Sequence, residues 1–126
     1  MKDFKQVFKT WNETFASRGW GSVFLGNHDF PRMLSRWGND KQYRDESAKL
    51  LLTLLLTTRG TPFIYMGDEI GMTNTELQSV SESKEIETLT GWEVARKQGI
   101  TESQFLKAAN YAGRDNARTP MQWNNR

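Results

Sequence analysis

The chain has 126 residues, which is the length of one small domain, and 25% charged and 37% hydrophobic residues are typical of a globular protein. Its formal net charge of +2 at pH 7 is too small to indicate nucleic acid or an anionic membrane as a partner. The absence of cysteine excludes disulfides and thiolate metal sites and favours a reducing, cytoplasmic environment.

Large apolar residues recur every three or four positions near the start of the chain, which predicts a helix from about Lys2 to Ala16. The segment Arg18–Gly21 ends this helix. The next run, Ser22–Gly26, is short, apolar and bounded by glycines. Its β-branched and aromatic residues predict a strand that is buried on both faces, as strands of parallel sheets are. The apolar stripe of the helix consists of Phe4, Val7, Phe8, Trp11 and Phe15.

A second helix and a second strand follow the first pair. Leucine dominates the segment from about Tyr43 to Thr58, which suits a helix packed against a sheet. The run Pro62–Met66 then predicts another buried strand. The order helix, strand, helix, strand with short connections indicates a parallel α/β sheet. Because two strands leave unpaired edges, the pattern indicates part of a larger sheet.

The last part of the chain has a different composition. Residues 72–90 are polar and predict a long surface loop, and two short helices follow. Thr101 and Gln104 form a capping box at the start of the second of these helices. The most apolar stretch, Leu50–Leu56, is far shorter than the roughly 20 residues that a membrane-spanning helix needs. Neither a membrane span nor an export signal is therefore expected.

Polar residues follow each predicted strand, where α/β folds place their active sites. Asn27, His28 and Asp29 come after the first strand, and Asp68 and Glu69 after the second. Taken alone, such residues are more often polar loop residues that cap helices. The chain has one histidine and no cysteine, so we expect no metal site and no cofactor.

Three longer motifs carry a resemblance to a known family. Phe24–Arg32 (FLGNHDFPR) resembles the strand-seven motif of the α-amylase superfamily, glycoside hydrolase family thirteen, and Gly60–Met72 (GTPFIYMGDEIGM) resembles its strand-eight motif. Gly113–Trp123 (GRDNARTPMQW) is similar to a segment of the oligo-1,6-glucosidases, dextran glucosidases, related α-glucosidases and trehalose-6-phosphate hydrolases. The resemblance covers essentially the whole chain. It implies that residues 1–126 are a partial catalytic domain, a fragment of a (β/α)₈ TIM barrel with its last two strands, flanking helices and following loop.

The resemblance also implies roles for individual residues. Asp29 corresponds to the carboxylate that stabilises the transition state, and His28 to a donor to sugar hydroxyls in subsite −1. Arg114 corresponds to the arginine that grips the non-reducing-end glucose, a task that suits a guanidinium fork. Further candidates are Arg32 as a pocket-lining residue, and Asn27 and Glu69 as supporting residues.

Other positions of the motifs receive structural interpretations. Arg118 is interpreted as structural, and Tyr65 as a core-packing residue rather than a sugar-stacking one. Asp68 stands where members of the family often carry glutamate, which is a conservative departure.

Two catalytic groups of the family are missing from the chain. Retaining hydrolysis needs a carboxylate nucleophile and a carboxylic acid about 5 Å apart. In the family they follow the fourth and fifth strands, which have no counterpart here. We therefore expect an inactive fragment that depends on the rest of its own catalytic domain to hydrolyse a small oligosaccharide. Two alternatives stay open: a trehalose-6-phosphate hydrolase fragment, and a non-catalytic sugar-binding or interaction protein derived from the same fold.

Overall fold

The computed structural model describes residues 2–124, which form five helices and two strands connected by loops and short 3₁₀ turns. In chain order the elements are α1 Lys2–Phe15, β1 Ser22–Phe24, α2 Met33–Trp37, α3 Arg44–Thr57, β2 Thr61–Phe63, α4 Ile86–Lys97 and α5 Glu102–Ala112. The 3₁₀ turns are Asp68–Ile70, Val80–Glu82 and Arg114–Ala117.

The two strands lie side by side and run in the same direction. Ser22 is opposite Thr61, and Phe24 is opposite Phe63. The chain passes from β1 to β2 through α2 and α3, so the strands and helices form a β-α-β unit. The predicted parallel pairing is confirmed. Because both strands end at the same edge, the residues that follow them are brought close together.

The prediction that both strands are buried on two faces is wrong for this chain. The side chains of Phe24 and Phe63 are 48% and 56% exposed. Within residues 2–124 the sheet has only these two strands, so each has one edge without a neighbour. Few side chains are available to cover the outer faces of such a small sheet.

The buried core lies between β1, α2 and α3. Leu25 follows β1 and belongs to one buried cluster with Met33, Leu34, Leu51 and Leu55. Helix α2 was not predicted, because a single helical turn has no periodicity to recognise. It nevertheless supplies two fully buried apolar residues, since Met33 and Leu34 are 1% and 0% exposed.

Helix α4 begins inside the segment predicted as loop, so the predicted range 72–90 is too long at its end. The residue before the helix is Glu85, and its side chain makes no capping hydrogen bond. The usual signal for a helix start is therefore absent. The capping box of α5 is confirmed, because Thr101 Oγ1 accepts from the Gln104 amide at 3.3 Å and Gln104 Oε1 accepts from the Thr101 amide at 3.0 Å.

Helix α1 has an apolar stripe that this chain covers only in part. Phe4 packs against the core and lies 5.9 Å from the Trp37 ring, whereas Trp11 is 59% exposed. The stripe and β1 border an open groove of about 1140 Å³. None of the helices among residues 2–124 combines the length and apolar composition that crossing a membrane requires.

We predict that the isolated 126-residue chain unfolds without a sharp cooperative transition and tends to associate. Exposed large apolar side chains on α1, β1 and β2 favour self-association or a loosely packed state. Thermal unfolding followed by near-UV circular dichroism, with light scattering for size, measures both properties. A single sharp transition from a monodisperse monomer would contradict the prediction.

Candidate active site

The loop after β1 presents two neighbouring polar side chains at the end of the strand. The Asp29 amide donates to Asn27 Oδ1 at 2.8 Å, and this short-range bond defines the turn. His28 Nε2 lies 3.5 Å from Asp29 Oδ2. Both side chains are accessible, with 66% of His28 and 47% of Asp29 exposed. The turn thus leaves an imidazole and a carboxylate facing outward at the carboxyl end of β1.

Two arginines from the last motif reach the same carboxylate. Arg114 Nη1 and Arg118 Nη2 each lie 3.4 Å from Asp29 Oδ1. Arg118 Nε also donates to the His28 carbonyl oxygen at 3.1 Å, so this side chain holds the backbone of the loop as well. The structure therefore brings together His28, Asp29 and Arg114, three residues predicted to bind or act on a sugar.

A second carboxylate, from Glu85, bridges the two arginines. Its Oε1 accepts from Arg114 Nη2 at 2.8 Å, and its Oε2 contacts Arg118 Nη1. Arg114 Nη2 is also 2.8 Å from Oε1 of the exposed Glu87. Burial by itself lowers the pKa of Arg114, but Asp29 and these two glutamates outweigh it and raise the pKa.

Sequence reasoning did not identify Glu85 as a site residue. The glutamate lies in a polar stretch that was predicted as surface loop, and its partners Arg114 and Arg118 are 29 and 33 positions away. No motif or periodicity links residues at that separation. The one available signal was the pair of arginines in GRDNAR. Two neighbouring positive charges indicate a second acidic partner in addition to Asp29.

A short polar network fixes Glu85 relative to the last motif. The Ser83 hydroxyl donates to Asp115 Oδ2, and the Lys84 amide donates to Asp115 Oδ1 at 3.1 Å. The Glu85 amide in turn donates to Ser83 Oγ at 3.2 Å. Because Asp115 adjoins Arg114, this network places the start of α4 beside the arginine that it faces.

Arg32 lies beneath the site and connects its loops. Its Nε donates to the Asn116 carbonyl at 3.1 Å, its Nη1 to the Met66 carbonyl, and its Nη2 to Thr119 Oγ1 at 3.2 Å. The side chain is 1% exposed. Arg32 was expected to line the pocket. Its guanidinium instead faces backbone acceptors in the interior, and we interpret its role as assembly of the site.

The loop after β2 is held by the Glu69 carboxylate within the loop and by a contact with the motif Gly113–Trp123. The Gly67 amide donates to Glu69 Oε2 at 2.8 Å. Gly67 has a φ of 93°, a backbone conformation that residues other than glycine rarely adopt. The Tyr65 hydroxyl donates to the Ala117 carbonyl at 2.9 Å. Both contacts support the geometry of the loop.

Asp68 follows β2 as Asp29 follows β1, but its carboxyl is buried. It is 1% exposed, and only its Oδ2 has a hydrogen bond among residues 2–124, from the Tyr65 amide at 3.2 Å. Burial raises the pKa of Asp68 to about 6, although the Tyr65 amide and Arg32 oppose this shift. A Cβ at Gly26 would lie 3.1 Å from Asp68 Oδ2, so glycine allows the segment after β1 to pass close to this carboxyl.

The described part of the chain contains no group of three or more His, Cys, Asp or Glu side chains that could hold a metal ion. The site instead offers an imidazole, two guanidiniums and an exposed carboxylate. These groups donate to and accept from hydroxyls, and the carboxylate of Asp29 can stabilise a positive charge that develops beside it.

Comparison with known proteins gives consistent results. The family model of the α-amylase catalytic domain matches residues 1–126. The chain is 47% identical over 123 residues to an oligo-1,6-glucosidase of Halalkalibacterium halodurans, and 48% identical over 120 residues to a glucan 1,6-alpha-glucosidase of Streptococcus dysgalactiae subsp. equisimilis. These alignments cover 98% and 94% of the chain and 22% of each relative.

A solved structure shares the fold as well. The trehalulose synthase MutB from Pseudomonas mesoacidophila MX-45 superposes with a TM-score of 0.89 at 40% identity, over 98% of this chain and 23% of that protein. The chain thus spans less than a quarter of the length of the proteins that it matches. Its fold is the corresponding portion of their catalytic domain.

We predict that Asp68→Asn stabilises a complete catalytic domain that contains this chain, and that the gain depends on pH. The Asp68 carboxyl has a folded pKa of about 6, above the ordinary 3.8, so the folded state binds the proton more tightly. The wild-type stability should therefore fall as pH rises from about 4 to 6. Asparagine removes this titration, and its advantage should reach roughly 3 kcal/mol at pH 7.

Urea unfolding at pH 4 and pH 7 measures this difference. Glu76→Gln is the matched control, because Glu76 is an exposed carboxylate of the loop that precedes α4. Its effect on the free energy of unfolding should be small at both pH values. An Asp68→Asn advantage that is equal at both pH values would contradict the prediction.

Proposed function

Because the chain belongs to the α-amylase catalytic-domain family, we propose that it is part of a retaining α-glucosidase that hydrolyses short α-glucosides in the manner of an oligo-1,6-glucosidase. In this proposal the chain supplies the carboxylate that stabilises the transition state and part of subsite −1. The nucleophile and the general acid come from the rest of the catalytic domain. The absence of cysteine favours the cytoplasm as its location.

The observation that carries this proposal is the exposed pair of His28 and Asp29 with Arg114 beside it. The Asp29 carboxylate has one oxygen next to His28 Nε2 and the other next to the two arginines, yet 47% of the side chain stays accessible. A sugar ring placed above it meets donors on both sides. Carboxylate, imidazole and guanidinium groups in one open cluster suit the recognition of vicinal hydroxyls.

The proposed mechanism uses the charge of Asp29 rather than a covalent bond to it. Retaining hydrolysis passes through an oxocarbenium-like transition state, whose positive charge is spread over the ring oxygen and the anomeric carbon. A carboxylate already fixed by neighbouring groups stabilises that charge without reorganising. His28 donates to sugar hydroxyls and orients the ring, while Arg114 holds its non-reducing end. Arg32 keeps the loops that carry these groups in register.

We predict that the isolated 126-residue chain does not hydrolyse p-nitrophenyl α-glucoside or isomaltose. No nucleophile and acid pair of the family's kind is present in the sequence. An assay of the purified chain beside a complete relative measures this directly. Turnover comparable to that of the relative would show that these residues contain the whole catalytic apparatus.

In the complete enzyme, we predict that Asp29→Asn lowers kcat by about 10²- to 10³-fold while the fold is retained, because the amide keeps the shape but loses the charge. His28→Ala should cost less and should act mainly on KM. Asp45→Asn is the matched control, since Asp45 is 77% exposed on α3. Steady-state kinetics with isomaltose separates the three variants. A near-normal kcat for Asp29→Asn would remove this residue from the catalytic set.

A further inference from the structure

Glu85 is the second carboxylate, besides Asp29, that the two arginines of the site share. Arg114 Nη2 donates to its Oε1 at 2.8 Å, Arg118 Nη1 contacts its Oε2, and the side chain is only 7% exposed. We propose that Glu85 is a positioning residue that holds both arginines back from Asp29, so that the Asp29 carboxylate keeps its charge for the bound sugar. This inference rests on the proposed function.

The distances support this division between the two carboxylates. Strong charge-assisted hydrogen bonds between guanidinium and carboxylate are about 2.7 to 2.9 Å long. The bond from Arg114 to Glu85 falls in this range, whereas both arginines remain 3.4 Å from Asp29 Oδ1. The guanidiniums are therefore held closely by Glu85 and make only long hydrogen bonds to Asp29.

The charges of the cluster lead to the same conclusion. Two guanidiniums face two carboxylates, Asp29 and Glu85, and the charges balance. Glu87 also contacts Arg114, but it is 76% exposed and its charge is screened by water. Without Glu85, Asp29 and the exposed Glu87 would be the remaining carboxylates beside the two positive charges. Because the Coulomb attraction between opposite charges is stronger at shorter distances, both guanidiniums would then move closer to the Asp29 carboxylate and neutralise its charge.

The orientation of Glu85 is not explained by its position at the start of α4. Short polar side chains at this position, such as those of serine and aspartate, commonly turn back to cap the first amides of a helix. The Glu85 side chain makes no such bond and points toward the arginines instead. Its backbone amide is meanwhile bound by Ser83 Oγ at 3.2 Å. The side chain is thus committed to the two guanidiniums.

Binding of two probes to the complete enzyme tests the inference. Glucose is neutral, whereas 1-deoxynojirimycin is a glucose-shaped cation that reports the charge of Asp29. In Glu85→Gln, calorimetry should show the affinity for the cation falling about tenfold more than that for glucose. With isomaltose, kcat should fall more than KM rises. Glu93→Gln is the matched control, because Glu93 pairs with Arg96 on the exposed face of α4 and should leave both affinities unchanged.

A double variant distinguishes the loss of charge positioning from a loss of folding. Glu85→Gln combined with Arg118→Gln removes one charge of each sign, so no unpaired guanidinium is left in the cluster. It should restore the preference for the cation to within about threefold of wild type. Equal losses for both probes in Glu85→Gln would assign a purely structural role to Glu85. Failure of both variants to fold would also overturn the inference.

The proposed function is tested separately in the same experiment. If the wild-type enzyme neither binds the two probes nor hydrolyses isomaltose, the proposed function is wrong. If it does both and Glu85→Gln keeps the wild-type preference for the cation, only the role of Glu85 is wrong.

Discussion

The arrangement of the site depends on the buried guanidinium of Arg32. It bonds to backbone or side-chain oxygens of Met66, Asn116 and Thr119, which lie 34, 84 and 87 positions further along the chain. Burying a charge is costly unless its donors are satisfied. The acceptors, with the nearby carboxylates of Asp68 and Glu69, offset that cost. The loop after β1, the loop after β2 and the last motif are thereby held in one arrangement.

Two aspartates in equivalent places have different properties because of their surroundings. Asp29 and Asp68 each follow one of two parallel strands. Asp68 is enclosed beneath Gly26, and its burial favours the protonated acid. Asp29 is half exposed and has two guanidiniums beside it. We propose that the exposed aspartate acts on a ligand, whereas the buried one accepts from the Tyr65 amide within its own loop.

The uncovered surfaces follow from the share of the catalytic domain that this chain represents. It corresponds to 22% of the length of its relatives, and a two-stranded parallel sheet cannot bury both faces by itself. Phe24, Phe63 and the stripe of α1 are exposed for this reason. Both the stability and the chemistry proposed here therefore depend on the surrounding part of the domain.

The amino-acid sequence by itself determined the order of α1, β1, α3 and β2, the parallel pairing and the capping box of α5. These features rest on periodicity, composition and short-range hydrogen bonds, all of which operate within a few residues. The motifs also pointed to the polar residues after each strand. Only the tertiary structure decided that Glu85 bridges Arg114 and Arg118, and that Arg32 is enclosed by backbone carbonyls. Both are contacts between distant segments, which packing and charge pairing select and no local pattern encodes.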